Sequence, residues 1–526
     1  MPAKIYSISL TGLTPELIEV EADISRGLSS FKIVGLGDTS VQESKERVRS
    51  AVKNSGLTYP IQKKIINLAP AELKKQGSIF DLPIAVALLA ASTQIPQQIF
   101  LDAVVIGELS LNGELKPVKG VLPVTNFARQ KGFKKIFLPR LNQAEASLVE
   151  GIKIYGIDSL KQLADFCQGK VLVEPFASPC PNRQLNLNPP AAAQDDVPFT
   201  SIYGLESAKR ALTIAAAGHH HVLLKGQPGT GKTVLARAFK NLLPPLTLEE
   251  ALEVTALYSI SEGTNDLILA RPFREVHHTA SRIAIVGGGQ NLKPGEITLS
   301  HKGVLFLDEI TEFPRSVLEV LRQPLEDRYI TISRAKASTR YPCDFILIAA
   351  MNNCPCGNLS QQTSQASRCH PCKCTPKQIA KYQSRISGPI LDRFDIFIET
   401  PAFSIKNFLN EKQSQEEQKL KEKIRLARAV QTERFSAIPI KENSSLNAEQ
   451  IKKYCALSAK ANSTLDRAAE KLSLSNRGYL KVIKVARTIA DLDQKAQIGE
   501  DEILEAIQYR SKTKFGNRNF FPTIEP

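Results

Sequence analysis

Hydrophobic positions fall into two regimes along the chain. In the first third, short β-like runs such as "IEVEADI" (residues 18–24) and "FKIVGL" (31–36) mix with helical stretches such as "TSVQESKERVRSAVKNSG" (39–56), with no short-period repeat. Beyond residue 200, strands and helices alternate regularly. The apolar runs in "HVLLKG" (221–226), "GVLFLDEI" (303–310) and "FILIAAMN" (345–352) each end in a glycine or a polar side chain. Three strands that present polar groups at their C-terminal ends predict an α/β, doubly wound sheet with its ligand outside those ends. Between the regimes, residues 175–199 are rich in Pro, Asn and Ala without hydrophobic period, and read as a linker. The domain boundaries expected are therefore 1–174, a linker 175–199, a core 200–400 and a C-terminal part 401–526.

The first of those strand ends carries the most specific chemistry. Gly226, Gln227, Pro228, Gly229, Thr230, Gly231, Lys232 and Thr233 form a complete phosphate-loop pattern between an apolar strand and an amphipathic helix. Glycines there let backbone N–H groups curl around phosphates at a helix N-terminus. Lys232 would place a point charge on the β- and γ-phosphates of ATP, and the Thr233 hydroxyl would ligate Mg²⁺. At the second strand end Asp308 would hold Mg²⁺, directly or through water, and Glu309 would polarise the attacking water. At the third, Asn352 would orient that water. Two arginines follow at helix ends, Arg393 in "SGPILDRFDIFIE" (387–399) and Arg477 in "SNRGYLKVIKVARTIADL" (475–492). On spacing alone each of them is more often a surface ion pair than a catalytic group.

Five of the nine cysteines lie just beyond the third strand: Cys354, Cys356, Cys369, Cys372 and Cys374. The stretch has too few apolar residues to build a core, so a metal would supply folding free energy that burial cannot. Five thiols and His370 exceed the four ligands of a closed structural zinc site, which leaves open which four of the five cysteines bind Zn²⁺. Reduced unmetallated thiols and redox switching are the alternatives. His219, His220 and His221 directly precede the phosphate-loop strand and read as packing and turn residues.

Charge and hydropathy narrow the setting. The net charge of +15 favours an anionic partner, and the excess is densest beyond residue 400. The longest apolar run, residues 82–92, is about half of the ~20 residues a bilayer crossing needs. No secretory signal opens the chain, so a soluble cytoplasmic protein without membrane contact is expected.

Several of these motifs, with "HHTASRIAIVGGG" (277–289), "PGEITLSHKGVLFLDEITEF" (294–313), "NNCPCG" (352–357) and "RISGPILDRFDIFIE" (385–399), resemble the magnesium-chelatase-like AAA+ ATPases of the YifB/ComM group. That resemblance implies an AAA+ P-loop NTPase core with a C-terminal helical lid, in a hexameric ring. It makes Arg393 an arginine finger acting across subunits, Arg477 the second sensor and Asn352 the first. Val276 and Asn353 stand where prolines are expected. Group members include hexameric helicases that drive branch migration during natural transformation. The implied activity is thus an ATP-dependent DNA translocase or helicase acting on single-stranded or branched DNA, with recombination proteins as possible partners. The alternative is a chelatase-like remodeller acting on a protein.

In rings of this kind a β-hairpin faces the central channel, and "YITIS" followed by "RAKAST" (329–339) reads as such a hairpin, with Arg334, Lys336 and Arg340 near its tip. Residues 273–296, with Lys293, resemble a second channel loop. Residues 67–91 and 106–142 are similar to the Lon-type protease domain, of α+β ribosomal S5-like fold. There Ile79 takes the nucleophile position and Leu122 the lysine position, so a scaffold or partner platform without a catalytic dyad is expected.

Overall fold

A computed structural model describes residues 2–11, 14–72, 75, 77–176, 198–199, 202, 205–262, 267–289, 293–334, 337–359, 372–401 and 414–511. Most of the expected linker, as well as Cys369, His370 and Lys336, lies outside them. Two sheets organise the molecule.

The N-terminal sheet has seven strands, in the order Phe31–Val34, Lys63–Ala69, Thr14–Ser25, Ala3–Thr11, Ala103–Val105, Lys135–Pro139 and Lys153–Ile157. Alternation sets its faces: Ile18, Val20 and Ala22 are buried while Glu19 and Glu21 point outward. The long apolar run forms the helix Asp81–Ala91, buried through its first nine residues. Its one charged residue, Asp81, is fully buried and bonded to Arg47 Nε at 2.7 Å, to Leu109 N at 3.3 Å and to Ser44. Burial raises the Asp81 pKa, and the guanidinium of Arg47 opposes that shift. Among the described residues no helix is long and apolar enough to cross a membrane.

The second sheet is wholly parallel, with strands ordered Phe273–Val276, Val304–Leu307, Ile346–Met351, Val222–Gly226 and Ile396–Thr400. Both faces are covered, so its strands are continuous apolar runs rather than alternating ones. Val222 and Leu224 face the core shared with helices Glu206–Gly218 and Lys232–Phe239, while Leu223 faces the other side with Leu305 and Leu347. The C-terminal helices Ser414–Arg434, Asn476–Leu492 and Glu500–Ser511 join the first of these cores through Ala427, Ile489 and Ile507.

The N-terminal unit meets this core along helix Leu248–Ser261, which packs against helix Val121–Gln130. Ser259 Oγ accepts from Gly120 N at 3.0 Å and donates to the buried Glu145 carboxylate at 2.7 Å. On the same side of the sheet as helix Leu248–Ser261, Tyr329–Arg334 pairs with Ala337–Pro342, Arg334 opposite Ala337, and Gly287–Gly288 pairs with Lys293–Pro294. Gly287 has φ +96°, and a Cβ there would lie 2.7 Å from Ile332 Cδ1, so the two hairpins are in close contact.

Candidate functional site

At the C-terminal ends of the parallel strands the chain turns from Gly226 into helix Lys232–Phe239. Gly229 and Gly231 adopt φ of +75° and +81°, a backbone region that L side chains rarely enter. Gly226 is required for space: a Cβ would lie 2.0 Å from Thr400 Oγ1 on the neighbouring strand. Thr400 Oγ1 lies 2.9 Å from Thr230 Oγ1, which fixes the loop from below. Sequence reasoning missed Thr400, whose position becomes visible only once the register Gly226↔Thr400 is known.

The Lys232 ammonium donates to Gly226 O at 2.9 Å, Gln227 O at 2.7 Å and Asn352 Oδ1 at 3.1 Å. Burial lowers its pKa to about 8, against the opposing charges of Asp308 and Glu309. Thr233 Oγ1 donates to Asp308 Oδ2 at 2.9 Å, and the other oxygen of Asp308 accepts from Glu309 N at 3.0 Å. Glu309 is exposed, with φ +50°, at the sharp turn after its strand. Lys232, Thr233, Asp308, Glu309 and Asn352, drawn from three strand ends, thus share one cleft. Two adjacent carboxylates, a threonine hydroxyl and a lysine beside a loop of backbone N–H groups can accept a polyphosphate and its cation.

The cysteine segment packs directly on this loop. Gly357 lies so close that a Cβ would sit 2.5 Å from Pro228 Cγ, and Gln227 Nε2 donates to Asn358 O at 3.3 Å. The Sγ atoms of Cys354, Cys356, Cys372 and Cys374 all lie within 4.8 Å of one another. Individual separations are 3.3 Å for Cys354–Cys356, 3.7 Å for Cys354–Cys372 and 3.6 Å for Cys356–Cys372. Asn353, in place of the expected proline, uses its side chain here: Nδ2 donates to Leu359 O at 2.8 Å, closing the turn.

Arg393 and Arg477 are elsewhere. Both bind Glu326, Arg393 directly and Arg477 at 3.5 Å, beside a cavity of about 480 Å³ at the N-terminal ends of the strands. A five-residue strand separates that edge from the phosphate loop, roughly 17 Å at 3.3 Å per residue. The structure therefore brings the two arginines to each other and not to this subunit's Lys232. Lys481, from the same helix as Arg477, donates to Arg393 O at 2.7 Å and pairs with Asp395 at 2.7 Å. The histidine triplet is at this edge too. His219 caps its helix with φ +59° and pairs with Asp344 at 3.3 Å, His220 contacts Thr488 Oγ1 at 2.9 Å, and His221 Nδ1 accepts from Leu347 N at 3.1 Å. Burial pushes His221 down to about 3, so it is neutral.

Of the residues expected at a channel, Lys293 is exposed on the glycine hairpin. Arg334 ends its strand, and Arg340 stacks 3.3 Å from the Tyr329 ring. In the N-terminal unit the Ser78 hydroxyl bonds to the Glu108 carboxylate, and Lys119 is exposed.

Three family descriptions match the sequence: magnesium chelatase subunit ChlI over residues 198–408, subunit ChlI of Mg-chelatase over 20–142, and the ChlI C-terminal region over 414–510. Competence protein ComM of Haemophilus influenzae is 40% identical over 517 residues, covering 97% of this chain and 98% of that protein. YifB of Escherichia coli, an uncharacterized protein, is 40% identical over 96% of each chain. A magnesium-chelatase subunit ChlI homolog of Methanocaldococcus jannaschii is 23% identical over 62% of this chain and 87% of its own. Identity of that extent across nearly the whole length, with all three ChlI regions in order, places the chain in the ComM/YifB-type family of magnesium-chelatase-like AAA+ proteins.

Proposed function

We propose that the protein is an ATP-driven hexameric ring that translocates on single-stranded or branched DNA, promoting branch migration of recombination intermediates during natural transformation. The observation that carries this reading is the joint placement of Lys232, Thr233, Asp308, Glu309 and Asn352 in one cleft, in a chain that is 40% identical to a competence protein over nearly its whole length.

On this reading the Lys232 ammonium exchanges two carbonyl oxygens and Asn352 for the β- and γ-phosphate oxygens of ATP, and the loop N–H groups cradle the phosphates. Thr233 and Asp308, already 2.9 Å apart, are the residues that would hold Mg²⁺. The cation, when bound, offsets charge building on the transferring phosphoryl group. Glu309 draws the proton of the attacking water and Asn352 orients it. Arg393 completes a neighbour's site, which fits its distance from its own subunit's loop, and Arg477 enters the same neighbour's site beside it. The N-terminal unit serves as a Lon-like, S5-like scaffold without proteolysis: Ile79 and Leu122 stand at the dyad positions, and the Ser78 hydroxyl is held by the Glu108 carboxylate.

A tetrahedral zinc site with Zn–S of about 2.3 Å has S···S edges of about 3.8 Å; the Sγ separations among Cys354, Cys356 and Cys372, 3.3 to 3.7 Å, approach that figure, and all four Sγ atoms lie within 4.8 Å of one another. Cys354, Cys356, Cys372 and Cys374 are accordingly assigned to Zn²⁺, leaving Cys369 as the surplus thiol. Lys293, Arg334 and Lys336 are assigned to the DNA channel.

ATP turnover measured without DNA and with single strands, duplex and a four-way junction tests the reading. DNA stimulation that is steepest on single strands or the junction, together with migration of a labelled junction, is expected. Arg334→Ala with Lys336→Ala should abolish the stimulation, preserve basal turnover and reduce the salt dependence of single-strand binding by about 0.7 in slope per lost phosphate contact. Absence of DNA binding at low salt with ATP present would replace the translocase with the protein remodeller.

A further inference from the structure

The cysteine cluster contacts the ATP site through bonds that a structural zinc knuckle alone does not need. Cys354 follows Asn352 by two residues, and the turn that closes on Cys354 O through Gly357 N, at 3.0 Å, presses Gly357 against Pro228. The next residue, Asn358, receives the side chain of Gln227. On the other side Cys372 and Cys374 lead into the capped helix Pro376–Gln383. Its last residue donates from Gln383 Nε2 to Asn353 O at 3.0 Å, and Thr311, two residues after Glu309, donates to Tyr382 OH on the same helix at 2.6 Å. The four sulfurs are therefore the junction of two segments, one gripping the phosphate loop and the other the carboxylate turn.

Without a cation that junction is weak. Neutral thiols are poor hydrogen-bond partners, and thiolates at these separations repel one another. A bound zinc ion, its four thiols having released their protons to solvent, replaces weak contacts with four metal–sulfur bonds.

We propose that occupancy of the Cys354/Cys356/Cys372/Cys374 site by Zn²⁺ regulates the ATP site, by holding Gly357 and Asn358 against Pro228 and Gln227 so that the phosphate loop keeps its nucleotide-accepting form. This rests on the reading of residues 226–233 as the ATP site. Where loss of the metal leaves the accepting form about one-tenth populated, apparent nucleotide affinity falls about tenfold.

The test uses the full chain and a fluorescent ATP analogue, with metal content measured in parallel. Protein as purified should contain about one zinc per chain. Chelator-stripped protein should keep its helical circular dichroism, bind the analogue about tenfold more weakly, and recover on addition of Zn²⁺ but not of Mg²⁺. Gly357→Ala, which keeps every cysteine and places a Cβ against Pro228, should retain zinc yet bind the analogue more weakly. Equal affinity of stripped and zinc-loaded protein overturns the proposal, as does failure to take up zinc. If zinc-loaded protein binds no analogue at all, the assignment of the phosphate loop fails first and the regulation falls with it, a result distinct from equal affinities.

Discussion

At the C-terminal ends of the five parallel strands Lys232 bonds to carbonyl and amide oxygens, whereas at the N-terminal ends of the same strands Lys481 bonds to a carboxylate. Burial lowers both ammonium groups to about 8. Their surroundings differ. Around Lys481 the charges are matched: Asp395 with Lys481 itself at 2.7 Å, Asp344 with Lys302 at 2.8 Å and Arg328 at 3.2 Å, and Arg328 with Glu442 at 3.4 Å. Around Lys232 the hydrogen-bond partners are neutral oxygens, and the Asp308 and Glu309 carboxylates act on it only through space. One edge of the sheet is a receptor and the other a self-contained brace, and four experiments should separate them.

The largest effect is expected from Arg393. Because it lies on the brace edge, Arg393→Ala should bind ATP normally and lose about 10³- to 10⁵-fold in turnover. Mixing it with Lys232→Ala should restore part of the activity through composite sites; no rescue in verified mixed rings would remove the cross-subunit role. Next comes Asp395→Asn, which strands Lys481. Breaking a buried pair costs about 3–5 kcal/mol, to be read as a lower urea midpoint, while nucleotide affinity of the remaining folded protein stays near wild type. A lost affinity with unchanged stability would reverse the assignment of the two edges.

The receptor edge should also reveal itself through pH. Phosphate favours the charged form of Lys232, which titrates at about 8 in the free loop. Nucleotide binding therefore takes up a proton above pH 8, and affinity falls as pH rises, about tenfold by pH 9. Calorimetry in buffers of different ionisation enthalpy would measure that proton; a flat profile excludes Lys232 as the titrating group.

The smallest effect concerns the contact between the N-terminal unit and the core. Burial raises the Glu145 pKa, against the Ser259 and Leu122 hydrogen bonds. A raised carboxyl pKa gives stability that is fully present below the unfolded value near 4.5 and lost as pH rises through the folded value. Acidification should tighten this contact, and Glu145→Gln should stabilise the protein relative to wild type at pH 7. Thermal unfolding of the two proteins across pH 5–8 checks the sign.

What was legible in the sequence follows the same division. Residues 226–233 are contiguous and their chemistry is local, so the receptor edge is readable from spacing, and Asp308 and Asn352 are readable as polar ends of buried runs. The brace is assembled from afar. Glu326 is 67 residues from Arg393, and Lys481 is 88 from it, so neither partnership leaves a local pattern. Only the fold shows that Ala427, Ile489 and Ile507 of the C-terminal helices complete the core of the parallel sheet. The histidine triplet reads as packing and turn residues, and its three different hydrogen-bonding tasks depend on Asp344, Thr488 and Leu347, all more than a hundred residues away.

The Lys481 bonds to Arg393 O and Phe394 O, at 2.7 and 3.2 Å, make the Arg393 turn and the helix Asn476–Leu492, which carries Arg477, one mechanical body. In the proposed ring, such a body would deliver both guanidinium groups to the adjoining subunit together or withhold both, with Glu326 holding them in the meantime. Engagement between neighbours would then be all-or-none, and each firing event would report that a whole contact had formed.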